Sequence, residues 1–528
     1  LILSDADGNV IDVFETGALR AGTTSGRVVG SGAPVRVFFA SATKGKSNDA
    51  AVRSAYAAEP VFSETALYHD AAFPLVLTSA TEGAEIRYTL DGSAPGPDST
   101  LYTSPINISS NAVVRAAAYC DGLLQSDSVV MTYLFEQPHT VPVICISISP
   151  SAFSEVYAAT IKKERVERQG VFSFYEDGAL GVSFPCGFRA SGASTLTAAQ
   201  KSLAVLLRSG YGVAETNYPF FANSDVSAYR SLVLRNSGQD RTAARIRDSF
   251  FMKAVKGLNI EQVETRLTVV YVNGKYWGIY DLNENQNEDY LASHYGVDPD
   301  AVDVIRRNFT ALEGTKYDFL RVREYALNRD LSDDALFAEF AEWVDVAYFT
   351  DYIIAQTYFA NSDMFNQKYW RSQDYSVKWR PVFFDLDFGL HSSSPTRNIL
   401  SSYFRVEGVP SQDGSLTNMD IYVGLRKNAA WRDYFCERYV YVVLNHFNSE
   451  RLCAILDEMA AQLRAEWPRH TARWSDAPSL SKWESNVAAL RDCLAKRAEY
   501  ALKYLQKEFG VSDEKMQEYR AKALAASA

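Results

Sequence analysis

Cysteine and histidine are scarce in this sequence, which has six of each among 528 residues. The cysteines lie far apart and form no CxxC pair and no cluster with histidine, so a structural zinc site is not expected. A GxSxG motif is absent as well, so neither a hydrolase triad nor a zinc protease has support. We expect free, mostly buried thiols at all six positions: Cys120, Cys145, Cys186, Cys436, Cys453 and Cys493.

Long apolar runs and an excess of basic residues are also missing. No run approaches the roughly 20 apolar residues that cross a bilayer, so no membrane-spanning segment is predicted. The net charge is −11, which argues against a nucleic-acid partner, because such binding depends on clustered Lys and Arg. No signal peptide is visible and the sequence opens at Leu1 in mid-domain. We therefore expect an excised piece of a longer protein, and infer nothing about its compartment from that end.

The composition is that of a globular protein, but 528 residues are too many for one compact domain. Residues 1–50 read as β, with a hairpin turning at Asp7-Gly8 and a further strand at Val35–Phe39. With Ser25-Gly26-Arg27 and the closing segment Ala42–Asn48, this piece resembles the last half of a lamin-tail domain, an immunoglobulin-like sandwich. Residues 51–70 are interpreted as a linker.

Residues 71–136 form a second predicted β unit. Its strands are Ala84–Leu90, which ends at Asp91-Gly92, then Leu101–Ile106 and Val113–Tyr119. The unit resembles the Fn3-like sandwich of the chitobiase/hexosaminidase C-terminal type. That resemblance implies a spacer module without catalytic residues.

Two short segments carry the strongest chemical signal. Asp363 and Asn366 follow an apolar helical stretch, and Asp385 and Asp387 follow the apolar run Val382–Phe384, which predicts a buried strand. Side chains two apart on a strand share a face, so both acids would project together and would need a cation between them. An Asp that orients a hydroxyl, with an Asn and further Asp residues on magnesium, is the pattern of phosphoryl transfer. The competing interpretation is a strand end whose acids are solvated or paired with arginine.

Residues 140–510 are predicted to form one large α/β region. Strands are followed by a helix over Arg241–Lys256, a hairpin with Asn273-Gly274 as its turn, and then mostly helices. Residues 511–528 are interpreted as an exposed helical tail. This order, strand-rich before helical, is also that of a protein-kinase fold. The further predicted helices are Phe337–Phe359, Glu450–Ala465 and Trp483–Phe509.

The strand-rich part offers candidates for binding phosphates. Gly187–Ser194 is a Gly/Ser segment whose turn could present N–H groups and hydroxyls, or could be an ordinary hairpin turn. Lys201 begins the predicted strand Ser202–Leu207, where it would reach phosphates or remain an exposed strand-end lysine. Asp248 is the candidate to brace it, or else a surface partner of Arg247.

These features together resemble the CotH kinase family, from about Val141 to residue 505. The motifs that carry the likeness are Glu167–Gly178, Arg189–Gly192, Gln200–Ser202, Leu234–Asp240, Ile246–Phe250, Val272–Tyr280 and the two acidic segments. The resemblance implies an atypical protein kinase that uses ATP and Mg²⁺ or Mn²⁺. The expected fold class is therefore a multi-domain protein, with an α+β protein-kinase-like domain preceded by small all-β immunoglobulin-like sandwich modules.

The resemblance also implies roles for individual residues. Asp363 would be the catalytic acid/base, and Asn366 would hold metal with one or both of Asp385 and Asp387. The candidates for nucleotide binding are Lys201, Arg189, Asp248 and Glu284, the last where a hinge would meet adenine. The segment from Asp363 to Asn366 is shorter than is usual in the family, and a displaced Asn366 would indicate a pseudokinase.

The resemblance further implies a protein substrate of the surface or spore-coat type. It implies a bacterial protein that is secreted or on the cell surface, with the spore coat as a narrower alternative. Two competing functions remain open: an inactive kinase-like scaffold, and a carbohydrate-associated protein with cell-wall or glycan ligands on its β modules. Trp467, Trp474 and Trp483 could stack on sugars, although Trp on amphipathic helices usually belongs to the core.

Overall fold

The computed structural model describes residues 1–17, 19–27, 36–46, 52–222, 224–407, 409–410, 416–417 and 419–526. The chain divides into two compact units. The first comprises residues 1–197, 203–218 and 268–278, and the second residues 198–202, 219–267 and 279–528. In the described part, no helix combines the length and the apolar character that crossing a bilayer requires.

The N-terminal residues of the first unit form two small antiparallel pairs, of which the sequence predicts the first hairpin and one strand of the second pair. Their strands are β1 (Ile2–Ser4) with β2 (Val10–Val13), and β3 (Thr24–Arg27) with β4 (Arg36–Phe39). Gly8 has a positive φ of 88°, which the hairpin turn requires. Val35, Ser47, Asn48 and the boundary residues 50 and 51 lie outside the described residues.

A small β sandwich follows. Its strands are β5 (Val61–Phe62), β6 (Phe73–Leu75), β7 (Leu77–Thr78), β8 (Glu85–Thr89), β9 (Thr100–Leu101), β10 (Ile106–Ile108), β11 (Ala112–Tyr119) and β12 (Val129–Tyr133). The larger sheet has the order β12-β11-β8-β9, while β5 pairs with β7 and β6 with β10. Phe62 belongs to the same core as Ile86, Val114 and Tyr133. The predicted linker is therefore structured at least at Phe62, whose side chain packs in this core.

The remaining part of the first unit begins with three consecutive strands that pair antiparallel. The elements are β13 (Val143–Ser147), α1 (Pro150–Ala158), β14 (Glu167–Glu176), β15 (Ala179–Ser191), β16 (Ser202–Leu206) and β17 (Thr216–Asn217). β13 pairs with β14 and β14 with β15, and residues 143–146 also pair in parallel with residues 269–272. The stacked rings of Phe172 and Phe184, with centroids 5.0 Å apart, fill its interior.

The second unit is mixed at first and then helical. Its first elements are β18 (Ala228–Tyr229), β19 (Ser231–Arg235), α2 (Arg247–Ala254), β20 (Thr265–Val272), β21 (Lys275–Glu284) and α3 (Glu288–Tyr295). The middle part consists of β22 (Val302–Arg306), β23 (Thr310–Glu313), α4 (Tyr317–Asn328), α5 (Asp334–Ala341), α6 (Val346–Tyr358), β24 (Lys368–Ser372) and β25 (Arg380–Pro381). Two short strands come next, β26 (Val409–Pro410) and β27 (Leu416–Thr417). The helices that follow are α7 (Asp420–Lys427), α8 (Ala429–Tyr441), α9 (Ser449–Arg473), α10 (Leu480–Phe509) and α11 (Asp513–Ala525). β20 and β21 each have residues in both units.

Several predicted elements differ in their bounds. The predicted helix Arg241–Lys256 starts only at Arg247, because Arg245 has a φ of 56° and the Asp240 carboxylate accepts the N–H groups of Ile246 and Arg247. The predicted helix Phe337–Phe359 is two helices, because Asp345 caps a new one by accepting from Tyr348 N–H.

The C-terminal segment is helical as predicted, but it is not an exposed tail. Met516 and Tyr519 of α11 are buried, and the Tyr519 hydroxyl donates to Asp433 of α8 over 2.5 Å. Its apolar face is thus part of the helical core. Trp467, Trp474 and Trp483 are buried as well, which supports the core interpretation of these rings.

The fold class predicted from the sequence is confirmed. β-rich modules come first, and an α+β region ending in long helices follows. The wrong bounds arise where one polar side chain competes for backbone N–H groups, a competition that hydrophobic periodicity does not reveal.

Candidate functional site

Arg235, at the end of β19, brings three of the predicted acids together. Its Nη2 donates to Asp385 Oδ1 over 2.9 Å and to Asp387 Oδ1 over 2.8 Å. Its Nε forms an ion pair with Asp248 Oδ2 at 2.9 Å. The four side chains, which we call the Arg235 cluster, come from a strand end, a helix and the segment after β25, and all lie in the second unit.

Asp385 and Asp387 converge, although not in the way the sequence predicts. Val382–Phe384 is not a regular strand, since β25 ends at Pro381 and the pairing of Val382 with Glu261 is an isolated bridge. Asp385 instead adopts a left-handed φ of 59°. Leu386 is fully buried between the two acids. The local backbone therefore directs both carboxylates to the same guanidinium. In a regular strand, the alternation of side chains between the two faces would have had the same effect.

Asp248 fixes the segment that carries the two acids. Its Oδ1 accepts the Leu386 N–H over 2.7 Å, while its Oδ2 faces Arg235. The surface-partner interpretation of Asp248 is wrong, because the residue is buried and Arg247 pairs with Asp240. Asp248 thus orients the acid pair through the backbone of Leu386.

Asp387 is the most enclosed acid of the cluster. Its side chain is only 3% exposed, and its Oδ2 accepts the Gln239 N–H over 2.8 Å. Gly238 makes this approach possible, because a Cβ at that position would lie 1.8 Å from Asp387 Oδ2. Burial raises the pKa of Asp387 well above its usual value, with the negative Asp385 adding to the rise and Arg235 opposing it.

Asp385 is more accessible, with 34% of its side chain exposed. Its Oδ2 accepts from Asn366 Nδ2 over 2.7 Å, and Asn366 Oδ1 accepts from Arg306 over 3.2 Å. The short segment that ends in Asn366 closes as a turn, in which the Asn366 N–H donates to the Asp363 carbonyl over 2.9 Å. The shortening therefore leaves Asn366 in contact with Asp385.

The Asp363 carboxyl has an altered proton affinity. Burial raises its pKa to about 6, the charge of Asp385 adds to this rise, and Arg307 opposes it. A carboxyl with such a pKa exchanges protons close to neutral pH, which suits a general base. Asp363 thus adjoins the Arg235 cluster through Asn366.

The Arg235 guanidinium carries a firm positive charge. Burial disfavours its charged form, but the attraction of Asp248, Asp387 and Asp385 outweighs that cost and raises its pKa well above the usual value. Three carboxyls face one arginine, so the cluster has an excess of negative charge whenever at least two of them are ionised. Such an excess is the electrostatic condition for attracting a further cation.

The other predicted residues lie in different surroundings. Lys201 precedes β16 and is buried rather than exposed, and burial lowers its pKa. Glu284 ends β21, where its carboxylate accepts from Glu264 N–H over 2.8 Å and pairs with His294 over 2.8 Å. Their roles with nucleotide stay predictions.

Arg189 belongs to the first unit. It lies on β15, where it pairs in register with Glu167. Residues 187–191 are therefore part of a long strand and not of a Gly/Ser turn, so their backbone groups follow the ladder geometry. The interpretation of Gly187–Ser194 as a single turn is wrong, although Gly192 does have a φ of 103°. The predicted role of Arg189 with nucleotide stays a prediction.

The donor chemistry suits a hard cation. Carboxylate and amide oxygens are the ligands that Mg²⁺ prefers, and Asn366, Asp385 and Asp387 provide them. Among the described residues, no group of three or more His, Cys, Asp and Glu side chains is arranged to hold a metal ion. The candidate set therefore depends on the Asn366 amide, whose oxygen now accepts from Arg306.

Sequence reasoning missed two residues that shape this site. Arg235 lies 150 residues from Asp385 and contacts it, and Gly238 provides the space beside Asp387. Both are within the segment Leu234–Asp240, whose Arg-Asn-Ser-Gly sequence after a strand was the available signal.

Comparison with known protein families agrees with the order of the domains along the chain. A family model described as Fn3 associated matches residues 75–133, and one described as CotH kinase protein matches residues 188–501. The search of curated proteins gave no match. The second match covers more than half of the chain and contains every member of the Arg235 cluster, together with Asp363 and Asn366. The chain belongs to the CotH kinase protein family.

Proposed function

We propose that the protein is an atypical protein kinase that transfers phosphate from ATP with Mg²⁺ or Mn²⁺. The observation that supports this best is the contact of Asn366 with Asp385 beside Asp363. Phosphoryl transfer needs little covalent chemistry from the protein, so positioning and charge neutralisation decide the rate. A divalent cation would neutralise charge on the transferring phosphate when it is bound.

Each residue has a distinct role in this proposal. Asp363 orients the acceptor hydroxyl and takes its proton, for which a pKa of about 6 is suitable. Asn366 and the accessible Asp385 are the metal ligands, and Asp387, enclosed by Arg235 and Gln239 N–H, supports them or binds a second ion.

Nucleotide binding would involve residues outside the acid cluster. Lys201 would reach the phosphates, with Glu284 as a further contact. Asp248 acts indirectly, because it holds the Leu386 backbone between the two acids.

The acceptor in this proposal is a protein outside the cytosol, of the surface, secreted or spore-coat type, in a bacterium. The β modules of the first unit would hold the domain near such a substrate or near cell-wall glycans. This part of the proposal rests on family resemblance, and the transfer reaction can be tested without it.

The test is phosphate transfer from γ-labelled ATP with Mg²⁺ or Mn²⁺, using autophosphorylation and a generic protein acceptor. Asp363→Asn should lower the rate by about 10²- to 10⁴-fold, the usual contribution of a general base, and keep metal-dependent ATP binding. Asp385→Asn should lose both. ATP binding without transfer in the unsubstituted protein would contradict the proposal.

A second candidate is an inactive kinase-like scaffold. It is favoured by the fact that Arg235 already pairs with Asp248, Asp385 and Asp387. A scaffold of this kind predicts no thermal stabilisation by ATP with Mg²⁺ or Mn²⁺. A real site at about a hundred times its Kd should instead add roughly 2.7 kcal/mol.

A further inference from the structure

We infer that Arg235 acts as an internal cation that competes with the divalent metal for Asp385. Metal binding then requires Arg235 to release Asp385 while it stays anchored on the buried acids. This inference rests on the proposed metal-dependent function. It means that Arg235, which is not one of the predicted ligands, sets how tightly the site binds metal.

The ligand oxygens are already engaged by N–H donors. Asp385 Oδ1 accepts from Arg235 and Asp385 Oδ2 accepts from Asn366. Asn366 Oδ1, the amide atom that a metal would need, accepts from Arg306. Each of these oxygens keeps a second lone pair, but a cation that approaches Asp385 Oδ1 or Asn366 Oδ1 meets the positive charge of the arginine already bound there. Metal entry is therefore a competition with these arginines.

The contacts of Arg235 differ in accessibility. Asp248 and Asp387 have side chains that are 7% and 3% exposed, whereas that of Asp385 is 34% exposed. Separating Arg235 from a buried acid leaves an uncompensated charge in the interior, which is strongly unfavourable. Releasing Asp385 costs less, because water and the incoming cation can solvate it. Asp385 is therefore the acid that exchanges.

One nitrogen of Arg235 serves both acids of the Asp385–Asp387 pair. Nη2 donates to each of them, while Nε faces Asp248. A small shift of the guanidinium can keep the Asp387 and Asp248 contacts and give up Asp385. The Arg235 cluster thus has one arrangement closed by arginine and one open to metal.

The experiment measures Mn²⁺ affinity, without nucleotide, by titration calorimetry and by thermal melting with Mn²⁺ or EDTA. Arg235→Gln removes the competing charge and should bind Mn²⁺ about tenfold more tightly than the unsubstituted protein. It should melt at a lower temperature in EDTA and regain most of that loss in Mn²⁺. Arg235→Lys keeps a positive charge with fewer contacts, and should also bind Mn²⁺ more tightly than the unsubstituted protein.

Arg247→Gln is the matched control. Arg247 is also a buried arginine of the second unit, but its ion pair is with Asp240. Its loss should lower the melting temperature without any recovery in Mn²⁺, and should leave the Mn²⁺ affinity unchanged.

Three results would overturn the inference. One is a lower Mn²⁺ affinity in both Arg235 variants, which would make Arg235 a support of the metal site. The second is an Arg235→Gln protein that behaves like Arg247→Gln. The third, decisive if Arg235→Gln does not fold, is an Arg235→Lys protein that binds Mn²⁺ no more tightly than the unsubstituted one. Transfer from ATP is measured separately, so the proposed kinase activity can fail while the competition is observed, and the reverse.

Discussion

Gly238, in the loop after β19, lies against Asp387 and Arg235 of the Arg235 cluster. It has a φ of 50°, and a Cβ there would lie 1.8 Å from Asp387 Oδ2 and 3.1 Å from Arg235 Nη2. Two separate effects therefore require glycine: the left-handed backbone and the space for a carboxylate. The second effect ties this position to the site, because only a displaced Asp387 would accommodate a methyl group.

We expect Gly238→Ala to lower the free energy of unfolding by about 2–4 kcal/mol, since it combines left-handed strain with displacement of a buried, hydrogen-bonded acid. Chemical denaturation measures this. Gly296→Ala is the control, because Gly296 has a φ of 66° and no atom lies within 4 Å of the position that an added methyl group would take. It should lose only the strain, about 1–2 kcal/mol. Equal losses in the two variants would show that Asp387 moves without cost.

At the scale of single residues, the sequence indicated the acids of the site but not Arg235, the residue that they contact. Asp385, Asp387 and Asn366 could be chosen because their residue types and order match the needs of phosphoryl transfer. Arg235 could not, because its contacts with the acids span 150 and 152 positions. The competing interpretation from the sequence, a strand end whose acids are solvated or paired with arginine, describes these contacts directly.

At the scale of elements, the end of β21 and the helix α3 are joined by a titratable pair. Glu284 ends the strand and is buried, and His294 lies in the last turn of α3 with its Nε2 2.8 Å from Glu284 Oε1. Burial lowers the pKa of His294, but the hydrogen bond and the charge of Glu284, with the charges of Glu261 and Glu264, together outweigh it, and the net pKa is raised. A histidine with a raised folded-state pKa stabilises the fold below its unfolded pKa of about 6.5, and the effect is lost as the pH rises through the folded value.

We therefore expect His294→Gln to lower the free energy of unfolding by about 1–2 kcal/mol at pH 6 and by clearly less at pH 8.5. Denaturant unfolding of both proteins at the two pH values measures the difference. The same substitution in a Glu284→Gln background should show little pH dependence, because the charged partner is gone. A cost that grows with pH would contradict the assigned pair.

Helices and strands were predictable where periodicity was strong and no side chain intervened. The Asn273-Gly274 hairpin is present as predicted, with φ values of 50° and 74° at its turn. The helix predicted from Arg241 was wrong because one carboxylate, Asp240, binds the N–H groups that would have started it. Apolar residues at Val382–Phe384 indicated burial correctly, but burial alone does not distinguish a strand from an irregular buried segment.

At the scale of the whole molecule, the order of modules followed from the sequence, but the compact units did not. The first unit contains both N-terminal β modules together with β13 to β15, which the sequence assigned to the large α/β region. The reason is long-range pairing, since residues 143–146 form a parallel ladder with residues 269–272. Sequence composition indicates domain boundaries through linker-like segments. It does not reveal strand ladders of this kind, which join segments more than a hundred residues apart.

The burial of the cysteine thiols reports on packing in both units of the chain. All six lie in the described residues as free thiols, and five are buried while Cys120 is partly exposed. Burial raises the pKa of the five buried thiols, to about 12 for Cys145 and about 11 for Cys493. Because the thiolate is the reactive form, these groups react only when the fold opens.

We expect brief treatment of the native protein with a thiol-alkylating reagent at pH 7.5 to add one group, at Cys120, and treatment in denaturant to add six. Intact-mass measurement counts the adducts, and Cys120→Ser should reduce the native count to none. Because the five buried thiols are spread over both units, from Cys145 to Cys493, a second adduct under native conditions identifies a segment that opens locally. Such an adduct in the Cys120→Ser protein would contradict a uniformly closed core and would map the weakest part of the fold.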